Sequence, residues 1–180
     1  MPELLEWWLL IYKVPTDPAR KRTYVWRKLK KLGALYLQQA AALLPDRVDP
    51  KAELDDLVRH ITEFEGETTL LKARSASPEW ERDVIRRFNR QRDEEFAEVA
   101  DTAQRLVDEL ARETRRRKFT FAELEENEEG LESLRRWFEQ VKQRNYFVAL
   151  GQAVADAAIQ QATADLQEFS RQVYEQAGQS

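Results

Sequence analysis

Between Leu9 and Ser75 the apolar positions switch between short runs and helical stripes. Leu9-Leu10-Ile11-Tyr12-Lys13-Val14 is a short aliphatic run stopped by Pro15, the pattern of a strand buried on both faces. Asp17 then stands where it caps a helix whose first turn tolerates Pro18, and Gly33 suits the left-handed cap at that helix's end. The stretch from Leu35 to Pro45 reads as a second extended segment, either one kinked strand or two short strands in a tight hairpin, and its alanines leave helix open as well. Asp49-Pro50 repeats the cap-plus-proline device, and Leu54, Leu57, Val58 and Ile61 form a helical stripe ending at Gly66. A strand from Thr68 to Arg74 closes the unit. The order β-α-β(β)-α-β over residues 1–75 predicts a ferredoxin-like sheet with both helices on one face.

After Ser75 the period becomes helical throughout, giving an α+β chain with an all-helical second part, residues 76–180. Ser77-Pro78 opens a pattern through Trp80, Val84, Ile85, Phe88, Phe96, Val99, Ala103, Leu106 and Leu110. Continued to Arg116, it predicts one helix of about 60 Å. Thr120 and Glu123 make a capping box for a second helix, with Phe121, Leu124, Leu131, Leu134, Phe138 and Val141 as its apolar positions and Gly130 as a potential break. A third stripe runs from Phe147 through Val154, Ala158, Ala162, Leu166 and Phe169 to Val173. Three such helices bury their stripes against one another, against the sheet, or across a dimer.

Composition narrows the chemistry. With no cysteine and one histidine, the chain supplies no structural zinc site, iron–sulfur cluster, thiol nucleophile or disulfide framework. No apolar run approaches the roughly 20 residues needed to span a bilayer. Glu3 and Glu6 precede the first apolar stretch, unlike a signal peptide, so a cytoplasmic location is expected. The net charge of −4 hides an uneven distribution: residues 1–75 carry a charge of +2 and the remainder −6.

The sharpest local feature is Arg20-Lys21-Arg22-Thr23-Tyr24-Val25-Trp26-Arg27-Lys28-Leu29-Lys30-Lys31-Leu32, with seven cations between Arg20 and Lys31 and no acid. On a helical wheel Val25, Trp26, Leu29 and Leu32 fall within about 120° and are expected to face the core. Arg20, Arg27 and Lys31 lie on the opposite side, with Tyr24 beside them and Lys21 and Lys28 at the edge. Arg22 falls among the apolar positions and is expected to snorkel or meet a carboxylate. Such a face, about 15 Å long, reaches several phosphates of a duplex and supplies affinity without sequence information. Its ordinary reading is a solvated surface.

The other candidates carry less. Arg112, Arg115, Arg116, Arg117 and Lys118 cluster at the end of the long helix, where cations complement the dipole, with binding as a secondary role. The acidic run from Glu123 to Glu129 reads as a solvated face, and His60 as a structural histidine. Asp55-Asp56 and Glu94-Glu95 point to different sides of their helices and make no acid–base dyad. The di-iron carboxylate pattern and a glycine-rich phosphate loop are both absent.

Three stretches, Trp8 to Pro15, Val25 to Gln38, and Leu43-Leu44-Pro45 with Gly66-Glu67, resemble the N-terminal domain of the ChrB chromate-resistance regulators. The resemblance continues in Phe88 to Phe96, around Leu134-Arg135-Arg136, and in Asn145-Tyr146-Phe147. It implies a bacterial cytoplasmic transcription regulator that binds promoter DNA and responds to chromate, with the basic helix as the DNA-contacting candidate. Family members continue into a second domain linked to chromate resistance. Ala40-Ala41-Ala42 departs from the bulkier apolar stretch expected there. The β-α-β order is also similar, at fold level, to the Cas2-type domain shared with the phenylacetate-repressor family. The nuclease branch of that group has an acidic metal ligand near the end of its first strand, where this chain has Tyr12-Lys13-Val14.

The expectation is therefore a DNA-binding regulator and not an enzyme. Arg20, Lys21, Arg27, Lys28 and Lys31 would meet phosphates, and Tyr24 would pack or hydrogen-bond beside them. No catalytic residue, metal or cofactor is expected. The expected partners are double-stranded promoter DNA, a second copy through the helical part, and chromate, with no membrane. Two other classes stay open. One is an interaction module docking a separately encoded chromate-resistance domain; the other is an oxyanion sensor whose arginines hold chromate or phosphate.

Overall fold

The structure, a computed structural model, describes residues 3–46 and 49–178. Met1 and Ser180, the outer limits of the two expected domains, lie outside them. In chain order the elements are β1 (Glu6–Lys13), α1 (Arg20–Leu32), β2 (Leu35–Gln38), β3 (Ala41–Pro45), α2 (Lys51–Glu63), β4 (Glu67–Arg74), α3 (Pro78–Arg115), α4 (Phe121–Gln143) and α5 (Gly151–Gly178). Residues 1–88 and 89–180 form two compact units, and α3 contributes to both. The change of pattern at Ser75 marks the approach to α3; the units divide further along, inside that helix. Among the described residues no helix is long and apolar enough to cross a membrane.

The first unit is a four-stranded antiparallel sheet in the order β2-β3-β1-β4, the ferredoxin-like arrangement. The extended stretch after Gly33 resolves into a tight hairpin with a register shift between Tyr36 and Gln38. Central β1 starts earlier than expected, at Glu6, and is not buried on both faces along its length. Leu10 and Val14 are buried, whereas Ile11 is 43% exposed. Even-numbered positions share the face on which Lys51 of α2 sits over the Trp8 ring; odd-numbered ones share the face of Trp7, which is buried at Trp7, where Trp80 and Phe88 meet it, and exposed at Ile11.

Trp7 is fully buried against the N-terminal turns of α3. Phe88 stacks on it at 5.8 Å and Trp80 meets it edge-on at 6.1 Å. Its indole N–H donates to Ser75 Oγ at 2.8 Å, and Ser75 Oγ donates to Glu81 Oε2 at 2.6 Å. The same carboxylate oxygen accepts the Leu5 backbone N–H at 2.6 Å.

Neither expected aspartate cap forms. Ala19 holds the N-cap of α1 without a side-chain bond, because the helix begins at Arg20, beyond the reach of Asp17; Pro50, not Asp49, holds the N-cap of α2. The other end of α1 is as expected. Gly33 adopts a left-handed φ of 74°, and the Gly33 and Ala34 N–H groups donate to Lys30 and Leu29 carbonyls at 2.9 and 3.0 Å. Helix α2 stops before Gly66, which lies in the turn leading to β4. A Cβ on Gly66 would stand 2.5 Å from the Lys13 carbonyl oxygen and 2.7 Å from Ile61 Cγ2. Gly66→Ala is therefore expected to cost about 1–3 kcal/mol, read as a lower urea midpoint at unchanged slope.

The second unit is built from the remainder of α3 with α4 and α5, and its core draws on all three. Phe96, Val99, Ala103 and Leu110 meet Leu124, Leu131, Leu134, Phe138 and Val141, and Ala155, Ile159, Ala162, Leu166, Phe169 and Val173 complete the cluster. Thr120 caps α4 by accepting the Glu123 N–H at 3.3 Å, and Gly130 does not interrupt the helix. Phe121 is half exposed and meets Tyr174 edge-on. Because α5 starts at Gly151 and not at Phe147, its inner stripe runs through Ala155 and Ile159. Val154, expected inside, is 64% exposed.

Candidate functional site

Helix α1 carries the site, and its orientation differs from the wheel. Val25 and Leu29 are fully buried, but Trp26 is 47% exposed. Tyr24, expected among the cations, turns inward against α2, with His60 at 5.2 Å and Phe64 edge-on at 5.5 Å. The inner arc is centred on Val25, with Lys21 and Leu29 about 40° to either side of it and Trp26 about 100° away. Lys21 lies at the seam with α2, where its ammonium donates to the Phe64 carbonyl at 3.2 Å and sits 5.9 Å from the Phe64 ring.

The cations of α1 therefore divide by direction. Lys21 is committed to the seam, and Lys28 sits over the Tyr24 ring at 5.4 Å. Arg20, Arg27 and Lys31 are exposed and form no ion pair among the described residues. Lys30 lies over the exposed Trp26 ring at 5.0 Å. Arg22 does not snorkel into the core and meets no carboxylate among the described residues. It is exposed, because the inner arc is turned toward α2, where Tyr24 meets His60 and Phe64.

Arg22 and Trp26 instead line a groove of about 640 Å³. The ends of β1 and of the β2–β3 hairpin supply Tyr12, Lys13, Tyr36 and Gln39 to its other walls. The Tyr12 and Tyr36 hydroxyls are hydrogen-bonded at 2.7 Å. Burial, and then the bond to Tyr12, push the Tyr36 phenol above the ordinary tyrosine range. Sequence reasoning missed this groove, although two of its signals were present: Arg22, Trp26 and Lys30 stand at i, i+4 and i+8, and Tyr12 shares the parity of Leu10.

The remaining candidates have local partners. His60 Nδ1 lies 2.8 Å from the Asp56 carbonyl oxygen, Asp55 pairs with Lys51, and Asp56 pairs with Arg59. That guanidinium holds the Asp56 carboxyl below the usual range. In the second basic cluster Lys118 pairs with Glu123 and, at 3.8 Å, with Glu113, which Arg116 also approaches at 3.8 Å. Arg112, Arg115 and Arg117 form no ion pair among the described residues. Among the described residues no group of His, Asp or Glu is placed to hold a metal ion.

The stretch from Phe88 to Phe96 has a structural use that its sequence does not announce. In the second unit Asn89 donates to the Phe147 carbonyl at 3.3 Å, and Asp93 Oδ1 accepts the Gly151 N–H at 2.7 Å. Glu95 accepts from both Nε and Nη2 of Arg144, at 3.2 and 2.8 Å, and its Oε2 lies 3.0 Å from Nε of Arg92. Arg92 is only 5% exposed, and burial lowers its pKa while Glu95 opposes that shift. These contacts fasten the α4–α5 connection to α3.

A family model described as "Protein ChrB, N-terminal" matches residues 22–180. The chain is also 31% identical over 84 residues to "Protein ChrB" of Cupriavidus metallidurans, a match covering 47% of this chain and 26% of that relative. No solved structure matches the chain. The matched residues include all of α1 from Arg22 onward and the Phe88 to Phe96 stretch; Trp8 to Pro15 precede them.

Proposed function

This chain belongs to the ChrB N-terminal family, which is associated with chromate resistance, and on that premise we propose that it is a non-enzymatic regulator that binds double-stranded DNA through α1. The observation that carries this reading is the row of Arg20, Arg27 and Lys31, exposed and without acidic partners among the described residues. Unneutralised cations along one helix face lower the potential energy of a phosphate backbone laid beside it and release its counterions. Lys28 and Lys30 flank the row at about 60° to either side, Arg22 faces the groove away from it, and Lys21 and Tyr24 serve the packing of α1 on α2.

The test is Arg27→Gln with Lys31→Gln, followed by fluorescence anisotropy on the promoter duplex across a salt series. Binding is expected to weaken by about tenfold or more, and the log–log salt slope to fall by up to about two. Equal affinity and equal slope in the double variant would reject α1 as the phosphate contact.

A further inference from the structure

We propose that the groove beside α1 is a ligand site for a small organic anion in which a flat ring carries one anionic group. Four observations converge on it. The groove's volume of about 640 Å³ lies within the usual range for bound small molecules. A bare tetrahedral oxyanion, a few waters in size at about 30 Å³ per water, would leave most of it unfilled. None of the lining residues is acidic, and the two cations, Lys13 and Arg22, form no ion pair among the described residues. The exposed Trp26 ring lines the groove and offers a surface for stacking.

The tyrosine pair adds direction. Of its two hydroxyl protons one lies between Tyr12 and Tyr36, and the other is free to donate to a ligand. Gln39 adds an amide that both donates and accepts. The anionic group belongs with Arg22 and Lys13, and the ring with Trp26. Nucleoside monophosphates and aromatic carboxylates share this chemistry. The inference stands on the groove and does not depend on DNA binding.

Calorimetric titration of the full chain with adenosine monophosphate, with benzoate and with inorganic phosphate tests it. At least one ring-bearing anion is expected to bind at least about tenfold more tightly than inorganic phosphate, and which one does so identifies the source. Arg22→Gln and Trp26→Ala, both at exposed positions, should each weaken that binding by about tenfold, with the circular dichroism spectrum unchanged. Silence from both ring-bearing anions, phosphate binding equally well, or indifference to both substitutions would each overturn the proposal.

Discussion

Glu95→Ala is expected to destabilise the second unit by about 3–5 kcal/mol, because it strands Arg92 in the interior without its counter-charge. Arg92 is 5% exposed, and among the described residues its Nε and Nη1 lack hydrogen-bond partners and Glu95 is the carboxylate that compensates it. The same removal frees Arg144 from its two-point bond and loosens the α4–α5 connection. Urea unfolding followed by far-ultraviolet circular dichroism reads the loss. Adding Arg92→Met should recover part of it, since the interior then holds no uncompensated guanidinium at that position. A loss below about 1 kcal/mol, or no recovery in the double variant, would contradict this account.

Trp7→Ala should cost the first unit about 3–5 kcal/mol, the range for emptying a fully buried large aromatic site. The indole holds Phe88 and Trp80 to one face of the sheet and donates to Ser75. Its removal leaves a cavity and also deprives Ser75 Oγ of the indole N–H it accepts, while Ser75 still donates to Glu81. Trp7→Phe fills most of the space without the N–H and should lose distinctly less. Chemical denaturation of both variants separates the packing contribution from the hydrogen bond.

The order of elements was legible because period and punctuation agree: a short aliphatic run, a stripe ended by Gly33, and a change to continuous helix after Ser77-Pro78. Helix direction was less so. Trp26 is the largest apolar side chain of its helix and drew the expected core face toward itself, but Tyr24 meets His60 and Phe64 on the α2 side, and that tertiary contact sets the rotation. Once the rotation is known, the free cations and the groove follow. The Arg92–Glu95 pair stands at i, i+3, but its junction with Arg144 had no local signal, because Arg144 lies 49 positions beyond Glu95.

The absence of acids from α1 has a thermodynamic corollary. Arg27 and Lys31, or Lys28 and Lys31, repel across one helical turn, each such pair raising the energy of the free protein by about 0.2–0.5 kcal/mol. A polyanion laid along this helix would relieve that self-repulsion, and its binding would by mass action also add to the stability of the first unit.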